Sequence, residues 1–408
     1  MKPTNAPHSA ATQPTAAPAT PADAVEVSIV MPCLNEKDTI GECVRKARLA
    51  IETHNLRGEV IVADNGSTDG SIEIARAGGA TVVHQPLRGY GAAYLMGVRH
   101  ARGRYIIIGD SDDTYDFADS HLLLERLRSG VDVVLGSRFM GNILPGAMPW
   151  PNRYLGNPIL TTMLNVLFGQ RISDAHSGLR GFTREAWQIM DLRTTGMEFA
   201  SEMLIKASLR RLSIAEIPIT YHPRLGDSKL NRIEDAWRHI RFMMLFSPGT
   251  LFVLPGLVLL AIGLALVAVL VGGPFILGGV YIGVHYMVLG SLLSVLGLML
   301  LTFGVSAKTY AFREHLVDQD RWIDALVSFF TLERGLLIGG ALAAVGAVVF
   351  INILVQYLGG DRAPFNELVY LHQALAGATT LLIGMQIISA SFFLSLLDIA
   401  RQHSGPGE

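Results

Sequence analysis

The chain has little cysteine, little charge and, after Met1, no bulky apolar residue in its first 24 positions. Each shortage excludes something. Its two cysteines, Cys33 and Cys43, lie ten residues apart with no closely spaced His pair or further Cys, which supports neither a disulfide framework nor a structural zinc site. A reducing, cytosolic setting is expected for the soluble part. A formal net charge of −2 gives no electrostatic footprint for nucleic acid, so no nucleic-acid partner is expected. Residues 1–24, mostly Ala, Pro and Thr, cannot bury enough surface to offset the entropy of ordering and are expected to form a disordered tail. They also lack the apolar core of a signal peptide, so the domain after them is expected to stay on the side of the membrane where it is made.

What is present divides the chain between two solvents. Half of the 408 residues are hydrophobic and only 17% are charged, with a mean hydropathy of +0.37. Fifty-three of the 68 charged residues precede Phe242, and from Phe242 to Ala307 there is no Asp, Glu, Lys or Arg. Uncharged runs at about 251–271, 280–307, 335–358 and 368–397 can each cross a hydrocarbon layer of about 30 Å at ~1.5 Å per residue. A membrane domain over 247–400 is therefore expected, with a short tail at 401–408.

Lys and Arg set the orientation. Arg224, Lys229, Arg232, Arg238 and Arg241 precede the first span, and Lys308, Arg313, Arg321 and Arg334 lie between the second and third, while the other two loops carry only Arg362. The soluble domain and both termini are thus expected at the cytoplasmic face of the cell membrane. Segment 229–246, with Trp237, Ile240 and Met244 at helical spacing opposite Arg238 and Arg241, suits an interfacial helix or equally a packed helix of the soluble domain, and 309–334, anchored by Trp322, suits a second interfacial segment. Gln319-Asp320-Arg321-Trp322 is one residue short of the Gln-x-x-Arg-Trp signature of processive polysaccharide synthases.

Over 25–228, short β-branched runs at 27–30, 60–62, 81–83, 105–108 and 131–135 alternate with amphipathic stretches, the pattern of an α/β domain with a mostly parallel sheet. Ligands of such sheets bind beyond the carboxyl ends of the strands. Those ends carry Pro32 to Glu36, Asp64-Asn65-Gly66-Ser67, Asp110-Ser111-Asp112-Asp113 and Gly136-Ser137-Arg138. Carboxylates at alternate positions, Asp110 and Asp112, suit a hard divalent cation, Mg²⁺ or Mn²⁺, carrying a diphosphate. A solvated acidic turn would look the same. An EF-hand is excluded because Tyr115 stands where that loop needs Gly.

Seven motifs in order resemble the family 2 glycosyltransferases of the GT-A fold, and within them the polyprenyl-phosphate sugar transferases. They are Val27–Glu36, Val62–Gly70, Arg88–Ala93, Gly109–Asp113, Gly136–Phe139, Asp174–Phe182 and Pro223–Leu230. The resemblance implies a Rossmann-like GT-A catalytic domain followed by a four-helix transmembrane domain. It also implies inverting transfer of a hexose from a nucleoside diphosphate sugar, UDP- or GDP-linked, to a polyprenyl phosphate.

Residue by residue, it assigns the nucleotide to Pro32, Asn35, Glu36, Asp64, Asn65, Arg88, Asp110 and Ser111, and the metal to Asp110 and Asp112. One departure is Thr114, where the family commonly has Gln. The acceptor phosphate needs cations, and Arg138, Arg180, Arg224 and Lys229 are the candidates. Arg180 would equally suit a salt bridge to Asp174. Asp110, Asp112, Arg138 and Glu198 are the expected catalytic group; Glu198 and Glu202, four apart, would share a helix face, and one could orient the sugar or act as a base. His176, His285 and His372 receive no role. Two other readings share parts of this pattern. One is a glycosyltransferase acting on diacylglycerol or a polysaccharide. The other is a lipid flippase carrying a nucleotide-sugar sensor, which would want more polar residues in its spans than Asn352, Gln356, Gln373, Gln386 and two histidines.

Overall fold

The computed structural model describes residues 25–225, 232–313, 325–326, 328–358 and 367–402. The tail at 1–24, Lys229 and the Gln319–Trp322 segment lie outside them. The chain forms two compact units. The first comprises the described parts of Met1–Arg153, His176–Ala200 and Leu212–Lys229, the second those of Tyr154–Ala175, Ser201–Arg211 and Leu230–Glu408. Two stretches of the expected soluble domain, 154–175 and 201–211, therefore group with the apolar helices.

The first unit is a seven-stranded sheet of β1 (Val27–Cys33), β2 (Gly58–Asp64), β3 (Thr81–His84), β4 (Tyr105–Ile108), β5 (Val133–Ile143), β6 (Arg180–Thr183) and β7 (Ile214–Tyr221), in the order β3-β2-β1-β4-β6-β5-β7. All neighbours run parallel except β6, which is antiparallel to both β4 and β5. The central strands read as unbroken apolar runs because both faces are covered: all of Tyr105–Ile108 is buried, and so are six of the seven residues of β1. Helix α1 (Ile40–Thr53) buries Ile40, Cys43, Val44, Ala47 and Ala50, one stripe at helical spacing. Helices α2 (Ser71–Ala77), α3 (Tyr90–His100) and α4 (Ser120–Arg128) follow β2, β3 and β4. Register places Cys33 opposite Asp64 and Asp64 opposite His84, so the ends of β1, β2 and β3 are level and their loops meet.

Two strands were not expected. Arg180–Thr183 is too short and too polar to show a period. Ile214–Tyr221 carries Pro218, which is tolerated because β7 lies at the edge of the sheet. Strand β5 also runs on to Ile143, through an irregularity in its pairing with β7 between Ser137 and Asn142.

The second unit contains four helices long and apolar enough to cross a membrane, Gly249–Leu270, Val284–Phe312, Leu332–Leu358 and Val369–Leu397. They correspond to the four expected spans, the second beginning later because Phe275–Leu277 and Val280–Ile282 form a small hairpin. Glycines seven residues apart let these helices approach closely. A Cβ on Gly297 would lie 2.3 Å from the Leu260 backbone N, one on Gly263 2.4 Å from that of Ser294, and one on Gly384 2.5 Å from the Gly339 carbonyl. Lipid tails are as apolar as the helices, so backbone proximity and van der Waals packing take over the role that hydrophobic burial has in the sheet. In the helix Arg232–Phe246, His239, Met243 and Phe246 are buried, while Trp237, Met244 and Leu245 are exposed.

Candidate active site

Four loops at the carboxyl ends of β1, β2, β4 and β7 interlock. Asn35, at φ 54°, receives the Thr68 N–H on its Oδ1 at 2.8 Å and donates its own N–H to Ser67 Oγ at 2.9 Å. The Glu36 N–H donates to Ser71 Oγ at 2.9 Å, and the Lys37 N–H to Asp69 at 3.0 Å. Ser111 Oγ donates to the Pro32 carbonyl at 2.5 Å, and Thr39 Oγ1 to the Ser111 carbonyl at 2.7 Å. The expected nucleotide residues Pro32, Asn35, Glu36, Asp64, Asn65 and Ser111 thus belong to one hydrogen-bonded lattice.

Asp64 is buried and accepts the N–H groups of Gly66 and Ser67 at 3.2 and 2.9 Å, with His84 Nδ1 at 2.9 Å. Burial alone would raise its pKa, but the hydrogen bonds from Ser67, His84 and Gly66 outweigh it and hold the carboxyl below its usual range. Asn65 works as a clamp. Its amide donates to the Gln85 and Leu87 carbonyls at 3.0 and 2.8 Å and its Oδ1 accepts from the Gly89 N–H at 2.7 Å.

The glycines after Arg88 serve a close backbone approach. The N–H groups of Gly91 and Ala92 donate to the Gly196 and Thr195 carbonyls at 3.2 and 3.0 Å. A Cβ on Gly89 or Gly91 would lie 2.2 or 2.3 Å from the Thr195 or Thr194 carbonyl, so these glycines admit a neighbouring backbone. Arg88 itself is exposed.

Asp110 and Asp112 sit differently. Tyr90 and Tyr94, from the first turn or so of α3, donate their hydroxyls to Asp110 Oδ1 at 2.8 and 3.2 Å. Burial first, and the charge of Asp112 second, push the Asp110 carboxyl up to about 6 in spite of those donors. Burial pushes both phenols well above their usual value, so they remain donors at neutral pH. Asp112 accepts Thr114 Oγ1 and N–H on its Oδ1 at 2.6 and 3.2 Å. Its Oδ2 faces Arg224 Nη1 at 3.3 Å, and Arg224 Nη2 donates to Glu36 Oε1 at 3.1 Å. One guanidinium therefore forks between the β1 loop and the β4 loop. The Nε of Arg224 is buried and has no hydrogen-bond partner among the described residues.

Other expected residues are brought here unevenly. Arg138 is buried with its guanidinium 5.1 Å from the Tyr221 ring centroid. Arg180, in β6, is also buried, and it donates from Nε to the Ser177 carbonyl at 2.8 Å and from Nη1 to that of Ala200 at 2.6 Å. Glu198 lies in the turn before the helix Phe199–Leu209, its carboxylate 2.4 Å from where a Gly196 Cβ would stand. It shares no exposed helix face with Glu202, which is buried in the second unit and pairs with Lys206 at 2.8 Å. Nearby, Asp113 pairs with Lys46 at 2.8 Å and Asp116 caps the Ala118 N–H at 2.9 Å.

Sequence reasoning missed His84, Thr39, Tyr90 and Tyr94. The only available signal for the first was a polar residue at a strand's carboxyl end; the tyrosines looked like ordinary core residues of a helix.

Comparison with known proteins identifies the family. The family model for glycosyl transferase family 2 matches residues 28–189, and that for the family 2 C-terminal transmembrane region matches 305–398. The low-salt glycan biosynthesis hexosyltransferase Agl6 of Haloferax volcanii is 40% identical over 377 residues, 91% of this chain and 89% of that protein. The dolichyl-phosphate hexose transferase of the same organism is 34% identical over 209 residues, 50% of this chain and 87% of its own. Among solved structures, a Mycobacterium tuberculosis glucosyl-3-phosphoglycerate synthase, in complex with Mn²⁺, UDP-glucose and phosphoglyceric acid, overlays 54% of this chain and 79% of its own, with 22% identity and a TM-score of 0.45. With a sheet domain matched from β1 onward, a matched membrane region and a relative similar over nearly the whole chain, this protein is a membrane-bound glycosyltransferase that belongs to family 2.

Proposed function

We infer that the enzyme transfers a hexose from a UDP- or GDP-linked donor to the phosphate of a polyprenyl lipid, with inversion, at the cytoplasmic face of the membrane. The observation that carries this reading is the fork of Arg224 between Glu36 and Asp112. There, two carboxylates from donor-side loops already hold one cation, and that cation keeps a buried N–H without a partner among the described residues. A buried donor left unmet is uncommon and favours an oxygen-rich anion.

The residues suit Mg²⁺ or Mn²⁺. Asp110 and Asp112, two hard carboxylates at the end of β4, would hold it, with diphosphate and water completing the coordination. When bound, such an ion stabilises the charge that develops on the leaving diphosphate.

The chain's own groups do the rest. The loops of Pro32 to Glu36, Asp64-Asn65 and Ser111, with Arg88, hold the nucleoside side. Tyr90 and Tyr94 fix the orientation of Asp110. Arg138, Arg180, Arg224 and Lys229 draw the acceptor phosphate, and Glu198 orients the sugar. A phosphate monoester whose second pKa is near ~6 is largely ionised at neutral pH, so no strong base is needed. The excess of Lys and Arg before the first span and between the second and third supports the cytoplasmic placement.

The test is a transfer assay with the protein in nanodiscs, UDP- and GDP-hexoses, polyprenyl phosphate and diacylglycerol as acceptors, with and without a chelator. Product on the lipid phosphate that chelation abolishes supports the reading. Transfer to diacylglycerol only, or activity that resists chelation, overturns it.

A further inference from the structure

We propose that Lys46, on helix α1, is a positioning residue for the loop that carries Asp110 and Asp112: by pairing with Asp113 it holds that residue in a left-handed conformation, and so sets the direction of the Asp112 carboxylate. Asp113 has a φ of 58°. That region is open to glycine and costly for a residue with a Cβ, although Asp and Asn tolerate it better than most. Such a conformation persists where the surroundings over-determine it. Here the surroundings are one side of α1. Residues 39, 43 and 46 are four and three apart, so they share a helix face. Thr39 stands at the N-cap, yet its side chain makes no cap bond, and its hydroxyl donates to the Ser111 carbonyl at 2.7 Å instead. The buried Cys43 thiol lies 4.0 Å from Asp113 Oδ1, and Lys46 Nζ donates to the same oxygen at 2.8 Å. The Lys46 and Asp113 side chains are 19% and 18% exposed, so the pair is screened less than one on the open surface. Helix α1 thus grips the loop at 111 through the backbone and at 113 through the side chain, on either side of Asp112.

The consequence for Asp112 is geometric. Both hydrogen bonds on its Oδ1 come from Thr114, the N–H at 3.2 Å and the hydroxyl at 2.6 Å. Asp113 is the one residue between acceptor and donors, so its backbone angles decide where Thr114 stands, and with it which way Asp112 Oδ2 points. A turn to negative φ at 113 would carry Thr114 away and free the Asp112 carboxylate to rotate. Lys46 acts through Asp113 and not on the reacting groups. Its other anionic neighbour, Glu42 Oε1 at 4.0 Å on the same helix, cannot substitute, because it belongs to α1 and not to the loop. The proposal rests on the reading of Asp112 as a metal carboxylate, and it adds the device that aims that carboxylate.

The experiment uses the full chain in nanodiscs and compares the parent with Lys46→Met and with the double variant Lys46→Met, Asp113→Gly. Two quantities are read: amide hydrogen exchange over 109–117 in the metal-free protein, and Mn²⁺ affinity with UDP, and separately with GDP, from the paramagnetic resonance of free Mn²⁺. Lys46→Met keeps the aliphatic stem and loses the charge. It should speed exchange several-fold and weaken Mn²⁺ by about 10-fold, the lower end of what supporting groups around a metal contribute. The double variant should return both quantities close to the parent's, because glycine takes positive φ unaided and leaves no carboxylate to pair. Parent-like exchange and affinity in Lys46→Met would overturn the proposal. So would a double variant as loose and as weak as the single one, which would place the effect of Lys46 in its charge alone. Should Lys46→Met fail to fold, Asp113→Ala against Asp113→Gly decides with Lys46 intact: a loop loosened by Ala and not by Gly supports the proposal, and equal behaviour overturns it. Asp112→Asn, titrated beside them, separates the two readings. Mn²⁺ affinity unmoved by that change would overturn the metal reading, and exchange over 109–117 would then decide the positioning role by itself.

Discussion

At the amino ends of β1 and β2, Glu59 accepts Ser28 Oγ at 2.7 Å, the Arg102 N–H at 2.7 Å, and Arg102 Nε and Nη2 at 3.0 and 2.8 Å. At the carboxyl ends of the strands, Asp112 and Glu36 share one guanidinium, and that guanidinium keeps a donor unmet by any described residue. Both ends carry partly buried carboxylates and arginines, and composition does not tell them apart. The difference lies in satisfaction. Four donors on two oxygens leave Glu59 nothing to offer a ligand, so it ties strand to loop. A forked arginine between two carboxylates is held by each alone, and can exchange one of them for phosphate oxygens or cede Asp112 to a metal.

The sharpest way to break this comparison is at Asp112. Asp112→Asn should lower transfer by about 10²–10³-fold, the size typical for a group that meets charge developing in the transition state. Its melting temperature should remain within a few degrees of the parent, because the residue lies outside the strand core. Activity assays paired with thermal melts check both, and an equal fall in stability would make Asp112 structural, like Glu59.

Arg224→Gln should reduce kcat/KM by about 10–100-fold, as expected for one charge-assisted contact of ~1.5–3 kcal/mol. Isothermal titration of Mn²⁺ in the presence of nucleotide should show tighter binding in this variant, since the competing cation near Asp112 is gone. Unchanged Mn²⁺ affinity would mean that the fork does not compete for that carboxylate.

Asn65→Ala should cost about 1–3 kcal/mol of stability, because it leaves the Gly89 N–H and the Gln85 and Leu87 carbonyls without their partner. Chemical denaturation measures it. The nucleotide affinity should fall with it, as the loop after β3 loses its clamp.

Glu59→Gln gives the smallest expected effect, on the order of 1 kcal/mol. It should also depend on pH. Burial would raise the pKa of Glu59, but the hydrogen bonds of Arg102 and Ser28 outweigh it and lower it below its ordinary value of 4.5. A depressed folded pKa stabilises above the unfolded value and loses that contribution as pH falls through the folded one. The parent should therefore exceed the variant at pH 7, and the gap should close below about pH 4.5. A gap that widens in acid would contradict the assignment.

Much of the architecture was legible because the signals are local. The parallel strands announced themselves through apolar runs, and Asp110 and Asp112 through their place after one of them. Strands β6 and β7 escaped because four residues around Arg180 have no period and Pro218 argues against a strand unless the strand is at an edge. The role of Gly89 and Gly91 was not legible for a related reason. Glycine tells that something approaches closely, but not whether it is a ligand or, as here, the Thr194–Gly196 backbone.

By itself, then, the sequence determined the division between solvents, the four apolar helices and the sheet whose carboxyl ends carry the acidic and amide residues. Hydrophobic period and run length depend only on neighbours in the chain. Tertiary structure alone decided which carboxylates are saturated, since Glu59 takes its donors from residues 31 and 43 positions away, and Arg224 reaches Glu36 across 188. It also decided that 154–175 belongs with the membrane helices, because which face of an uncharged helix is covered is settled by what the fold places against it.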